Sequence, residues 1–199
     1  MHATAEPVKE RMGAFGPLVG LVAIMWIAEM VDVVVGGRLD GLGIEPRDAD
    51  GLVGVVLAPF LHAGFGHLIA NTIPLLLMGF AIALSGLARV VGVTVIVGLV
   101  SGLGTWLIAP AGTVHIGASG LVFGYATYLI ARGIFSRNLV HLALGAVLVL
   151  VFGTVLLGGL IPEDGISWQA HLFGAIGGVI AARLLTPERR HGAKPAAGL

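Results

Sequence analysis

The sequence has no cysteine, which excludes structural disulfides, thiolate metal sites and a cysteine nucleophile. Charge is scarce as well. Asp, Glu, Lys and Arg make up 11% of the 199 residues, whereas an ordinary soluble domain has about 25%. A soluble fold of this size could not cover its surface with so few charges. Lys+Arg and Asp+Glu balance at 11 each, and no basic patch is present, which argues against a nucleic-acid partner. Aromatic residues are only 7%, and no segment shows the ~10-residue alternation of an outer-membrane barrel strand. What the chain has in abundance is apolar surface, 57% hydrophobic residues at a mean hydropathy of +1.00. That composition excludes disorder and points to an integral membrane protein built of helices.

The spacing of charges divides the chain. Runs of 38, 42, 25 and 18 residues without Asp, Glu, Lys or Arg lie between Asp50 and Arg89, Arg89 and Arg132, Arg137 and Glu163, and Asp164 and Arg183. A spanning helix needs about 20 mostly apolar residues. Six spans are expected, at roughly 16–35, 67–86, 90–109, 118–131, 139–160 and 168–184. The 42-residue run is too long for one helix and breaks at Pro110 and Gly112. The first span follows Lys9 and Arg11 without a small-residue cleavage site, so it reads as a retained signal-anchor. Glu29 and Asp32 fall near its far end, where an interfacial position is favoured over one facing the bundle interior.

Six spans put both tails on one side. Lys9, Arg11, Arg89, Arg132, Arg137, Arg183, Arg189, Arg190 and Lys194 share that side, against Arg38 and Arg47 on the other. The bias predicts cytoplasmic termini. The 36–66, 110–117 and 162–165 connections then lie outside. No internal repeat supports an inverted-repeat transporter.

Three polar clusters interrupt the apolar runs: His62, His67 and Asn71 entering span two; Gly117-Ala118-Ser119-Gly120 opening span four; and Ala170-His171 in span six, followed by Gly174 and Gly178. Polar groups at membrane depth are expensive and usually functional. Ser119 stands 13 residues from Arg132, and His171 12 residues from Arg183. At the helical rise these are roughly 20 and 18 Å, nearly matched depths. With Arg132 as its inner edge, span four is too short to cross a core of about 30 Å, so it must begin inside the membrane, where irregular backbone must line protein or water.

The chemistry fits a hydrolase within the bilayer. A serine at a helix N-terminus lies where N–H groups and the helix dipole favour an oxyanion. His171 could serve as its general base and acid. The Ser119 N–H, the Asn71 amide and the His67 ring could donate to the oxyanion. His67 and Asn71, four apart, share a helix face. Gly120 and Gly124, and Gly174 and Gly178, form two G-x-x-x-G pairs that would bring spans four and six together.

Each residue also has a plainer reading. A transmembrane serine commonly bonds its own helix, Asn71 can act as interhelical glue, and glycine pairs can serve packing alone. A metal site is disfavoured, because His62 and His67 are five apart, no carboxylate joins them and no H-E-x-x-H occurs. The soluble-hydrolase elbow G-x-S-x-G is absent, since Leu121 follows Gly120. His115 and His141 read as bystanders, and His2 and His191 lie in the tails.

At these residues the sequence resembles the rhomboid intramembrane serine proteases. Three motifs carry the resemblance: His62, His67 and Asn71 at the family's second-helix spacing; G-x-S-G at Gly117, Ser119 and Gly120; and A-H-x-x-G-x-x-x-G at Ala170, His171, Gly174 and Gly178. It extends from about Gly16 to Leu185. It implies an all-α integral membrane protein, a six-transmembrane-helix rhomboid-like bundle at 16–185, between cytoplasmic tails at 1–15 and 186–199. It further implies a serine endopeptidase with a Ser119–His171 dyad and an oxyanion hole of His67, Asn71 and the Ser119 backbone. Gly117, Gly120, Phe123, Gly174, Gly178 and His62 are implied as supporting residues.

By the same resemblance the enzyme needs no cofactor and no metal. Its partners are the lipid bilayer and single-pass membrane proteins, cut in or near their transmembrane segments. The fifth helix and the 162–167 loop act as gate and cap. The setting is the cytoplasmic membrane, with the site facing outward. Two positions depart from the family pattern: the first outer loop has no tryptophan, and Phe123 stands where a tyrosine often stacks on the histidine. The competing readings are a catalytically inactive rhomboid-like binder of membrane proteins and a small transporter. The intact serine and histidine speak against the first.

Overall fold

Six long helices account for most of residues 13–186, the part of the chain that the computed structural model describes. They are α1 (Gly16–Val35), α2 (Phe65–Ala83), α3 (Leu87–Ile108), α4 (Ser119–Ser136), α5 (Leu139–Gly158) and α6 (Trp168–Leu185). His2, Lys9, Arg11, Arg189, Arg190, His191 and Lys194 lie outside the described residues. The 36–64 connection holds short helical turns, including Gly54–Leu57. Its Ile44 forms an isolated antiparallel bridge with His115.

Local chemistry sets the boundaries. α1 has a proline in its first turn and ends on Gly36 in the left-handed region, at φ 74°. α3 stops at Ile108, two residues before Pro110. α5 begins where the Asn138 side chain accepts from the backbone N–H groups of Val140 and His141.

Four helices, α1, α2, α3 and α5, are long and apolar enough to cross a membrane. α4 and α6 carry more small and polar side chains, because they face protein. Eleven of the 18 residues of α4 are buried, against two of the 20 in α5. α4 is therefore the central helix and α5 a peripheral one that packs chiefly against it.

The tightest packing joins α4 to α6, and glycine makes it possible. A Cβ on Gly174 would overlap the Gly120 carbonyl, and one on Gly178 the Gly124 carbonyl. A Cβ on Gly124 would strike Val97 of α3. Backbones this close leave room for no side chain at the crossing. Hydrogen bonds complete the contact. The Thr127 hydroxyl donates to the Ala175 carbonyl at 2.8 Å, and the Ser101 hydroxyl of α3 donates to the Ala170 carbonyl at 2.8 Å.

Two expectations change here. α4 does not end near residue 131 but continues through Arg132 to Ser136. The arginine need not leave the bundle, because its Nη1 donates to the Ser85 hydroxyl at 2.6 Å. Glu29 and Asp32 face the bundle interior instead of lying open to solvent. They are 2% and 7% exposed, because the 36–64 connection folds back over the end of α1. There the Leu39 N–H donates to the Asp32 carboxylate at 2.6 Å.

That connection lacks a tryptophan, yet it is fastened to α3 by one. Trp106 Nε1 donates to the Asp48 carbonyl at 2.7 Å. Arg47 Nη1 donates to the carbonyls of Leu107 and Ala109 at 3.2 and 2.8 Å. The guanidinium thereby satisfies carbonyls that the end of α3 leaves without helical partners.

Gly174→Leu is expected to cost about 3 kcal/mol or more, at or beyond the upper range for overpacking, because it drives a side chain into backbone. Thermal unfolding in detergent reads this out. Gly20→Leu, where an added Cβ meets nothing within 4 Å, serves as the control. Equal midpoints for the two variants would refute the close α4–α6 contact.

Candidate active site

Ser119 is the first residue of α4, and no side chain caps that helix. Its first-turn N–H groups therefore remain available to an acceptor. The approach to it is tightly set. Gly117 has φ 111°, a region that disfavours side chains, and an added Cβ would come within 2.7 Å of the His67 ring. The Gly117 N–H donates to the Ala58 carbonyl at 2.8 Å, and the Ala118 N–H to His62 Nε2 at 3.4 Å.

His171, one turn into α6, lies across from the serine. Its Nε2 is 2.8 Å from Ser119 Oγ, and its Nδ1 is 2.6 Å from the Gly159 carbonyl oxygen. A carbonyl can only accept, so Nδ1 carries the proton. In the neutral ring Nε2 then holds the lone pair and accepts from the serine O–H. The tautomer required of a general base is thus fixed by a backbone oxygen. Phe123, one turn along α4, stacks flat on the imidazole with centroids 4.2 Å apart and planes 4° apart. Gly159 is pressed against both rings. A Cβ there would come within 2.7 Å of Phe123 and 3.0 Å of His171.

His67 and Asn71 come to the same place on α2. Together with Ser119, Phe123 and His171 they line a cavity of about 330 Å³. The Asn71 amide donates one N–H to the His67 carbonyl of its own helix at 2.9 Å, and a second N–H remains. His62 lies behind the site, 1% exposed, with its ring edge-on to His67 at 5.0 Å. Burial, with the His67 ring beside it, pushes the His62 pKa down to about 4. It stays neutral near pH 7 and can accept the Ala118 N–H.

The cavity walls include Pro74 on α2 and Phe152, Val155 and Leu156 on α5. Gly165, Ile166 and Ser167 close it on the loop side and separate it from a wider vestibule of about 670 Å³ between residues 110–115 and 162–169.

Sequence reasoning set His115 aside, yet it ties these loops together. Its Nδ1 is 2.8 Å from the Ser167 hydroxyl and its Nε2 2.8 Å from the Thr113 hydroxyl. It also missed Ser101 and Gly159. A carbonyl acceptor leaves no residue signature, and Gly159 was recognisable only as one of 32 glycines. His141 is distant from the site and bonds to Ser136 at 3.1 Å. Among the described residues no group of three His, Asp or Glu side chains could hold a metal ion.

Residues 49–188 match the Rhomboid domain family. The chain belongs to the rhomboid family. It is 48% identical over 187 residues to an uncharacterized Mycobacterium tuberculosis protein, covering 89% of this chain and 78% of that one. A Mycobacterium leprae relative, also uncharacterized, is 44% identical over 89% of this chain and 74% of its own length. A Bacillus subtilis protein named "Putative rhomboid protease YdcA" is 31% identical over 134 residues, 66% of this chain and 67% of that one. Rhomboid membership and the four apolar helices together make this a membrane protein.

The neutral His62 gives the rhomboid fold a pH dependence of known sign. Its native pKa is about 4 and its unfolded value about 6.5. As pH falls through that window the unfolded chain takes up the proton first, so stability present above pH ~6.5 declines toward pH ~4. His62→Gln keeps an acceptor for the Ala118 N–H and has no proton to gain. Its unfolding midpoint should fall less over the same window. Parallel curves would show that His62 does not contribute.

Proposed function

We propose that this rhomboid is an intramembrane serine endopeptidase that hydrolyses peptide bonds in or near the transmembrane segments of single-pass membrane proteins. The observation that carries the reading is the His171 ring, with Nδ1–H held by the Gly159 carbonyl and Nε2 on the Ser119 hydroxyl at 2.8 Å.

Ser119 Oγ attacks the scissile carbonyl while Nε2 takes its proton. The Gly159 carbonyl steadies the imidazolium that results, the part a carboxylate plays in a triad. The oxyanion forms beside the Ser119 N–H, with the Asn71 amide and the His67 ring as further donors. Collapse breaks the C–N bond, and His171 returns its proton to the leaving amine. Water then attacks the acyl-serine with His171 as base, releasing the acid and restoring the serine.

The proposed topology has six spans, with both termini cytoplasmic and Ser119 opening toward the outer side of the cytoplasmic membrane. Water reaches the serine from the vestibule under residues 165–167. Substrate reaches it laterally between α2 and α5. The support for this path is that the cavity is walled by both helices while α5 packs chiefly against α4. Phe123 supplies the stacking surface for His171 without a hydroxyl.

A fluorophosphonate probe and a single-pass transmembrane reporter, offered to the purified chain in detergent and in lipid, test the reading. The wild type should label and cleave. Ser119→Ala and His171→Ala should each lose at least about a thousandfold in turnover, and Asn71→Ala about a hundredfold. Cleavage by Ser119→Ala at the wild-type rate would remove Ser119 as nucleophile. A wild type that neither labels nor cleaves would favour a binding role.

A further inference from the structure

Among the described residues, the end of the bundle opposite Ser119 holds cations without carboxylates. The sequence has no Asp or Glu between Asp50 and Glu163 or between Asp164 and Glu188. The described carboxylates, Glu29, Asp32, Asp40, Glu45, Asp48, Asp50, Glu163 and Asp164, belong to the Ser119 end. A preference for cytoplasmic Lys and Arg would account for positive charge there. It does not account for how two of the arginines are arranged.

Arg89, in the first turn of α3, and Arg132 of α4 are both half-buried and hydrogen-bonded to hydroxyls of the bundle. Arg89 Nη1 lies 3.5 Å from the Tyr128 hydroxyl, and Arg132 stands one turn beyond Tyr128 on the same face of α4. Arg132 Nη1 donates to the Ser85 hydroxyl, while its Nε is buried with no partner. Tyr128 is 0% exposed.

The inventory is one-sided. Two guanidiniums and two hydroxyls converge, every one able to donate, and among the described residues no anion answers them. The start of α3 adds to the imbalance, because no side chain caps it and its first turn has no acidic residue. Holding like charges together this way is costly unless an acceptor with several oxygens sits between them, and a phosphate group matches the fork of an arginine. Leu84 and Leu87, next to Ser85 and Arg89 in the chain, and Leu139 and Val140, just after α4, are exposed apolar side chains. They offer a surface for acyl chains.

We propose that Arg89 and Arg132, held in place by Tyr128 and Ser85, bind the phosphate of an anionic phospholipid headgroup, in the leaflet opposite the Ser119 end. Basic pockets between transmembrane helices take such headgroups. The site joins α3, α4 and the 84–86 connection, so an occupied site stabilises the fold by mass action.

The test uses the full chain in a nonionic detergent at fixed ionic strength, with the unfolding midpoint followed against added short-chain phosphatidylglycerol, short-chain phosphatidylcholine or sodium phosphate. Phosphatidylglycerol should raise the midpoint and phosphatidylcholine should not. Arg89→Gln/Arg132→Gln should weaken the apparent affinity for phosphatidylglycerol at least about tenfold, a loss of about 1.4 kcal/mol. Arg38→Gln, at the opposite end, should respond like the wild type. Should the double variant not fold, Arg89→Gln alone keeps the Arg132–Ser85 bond and should still lose several-fold. Equal responses of the wild type and the Arg89 variants would overturn the proposal, as would equal effects of the two lipids. Stabilisation by sodium phosphate matching that by phosphatidylglycerol would overturn the lipid as source and assign the site to free phosphate.

Discussion

The distance between α4 and α6 is the constraint on which the rest depends. Gly174 sits on the Gly120 carbonyl and Gly178 on the Gly124 carbonyl, with no space for a Cβ. Helices with ordinary side chains at their contact pack 8–10 Å apart or more. Here backbone meets backbone, and that brings the first residue of one helix within a hydrogen bond of a histidine 52 residues later. Because the same approach buries much of α4, that helix can carry two tyrosines, a threonine and an arginine. Its polar side chains find partners in protein, where lipid would offer none.

A second principle runs through the structure: polar groups inside the bundle are satisfied mostly by backbone. His171 is oriented by the Gly159 carbonyl, and Asp32 accepts the Leu39 N–H. Ser101 and Thr127 donate to carbonyls of α6, and outside the bundle the exposed Arg47 closes the carbonyl end of α3 in the same way. Backbone partners are neutral, so each contact avoids the desolvation of a second charge. The proposed catalytic base follows the same pattern, with a carbonyl where soluble serine proteases place an aspartate.

The two ends of the bundle are chemically opposite. One gathers the described carboxylates, the glycine-rich approach to Ser119 and two loops joined by the His115–Ser167 contact. The other holds arginines with no described carboxylate. The proposed hydrolytic site and the proposed phosphate site therefore lie about 20 Å apart along α4, at the 1.5 Å rise per residue from Ser119 to Arg132. Their tests are independent, because one depends on the serine and the other on charge.

The sequence by itself determined what depends on composition and local pattern. Long charge-free runs required membrane helices, Pro110 required a break, and the G-x-S-G and A-H-x-x-G-x-x-x-G motifs marked Ser119, His171 and their glycines. Those features are written in residue types at fixed short spacings. Tertiary structure decided what depends on partners distant in sequence. Glu29 and Asp32 turned inward because a connection beginning at residue 36 folds over them. α4 runs past Arg132, and Ser85 receives its guanidinium there. The acceptor that fixes the His171 tautomer is a backbone carbonyl, and every residue has one. Only the folded chain can select which carbonyl, because the choice is made by where two glycine faces let their helices meet.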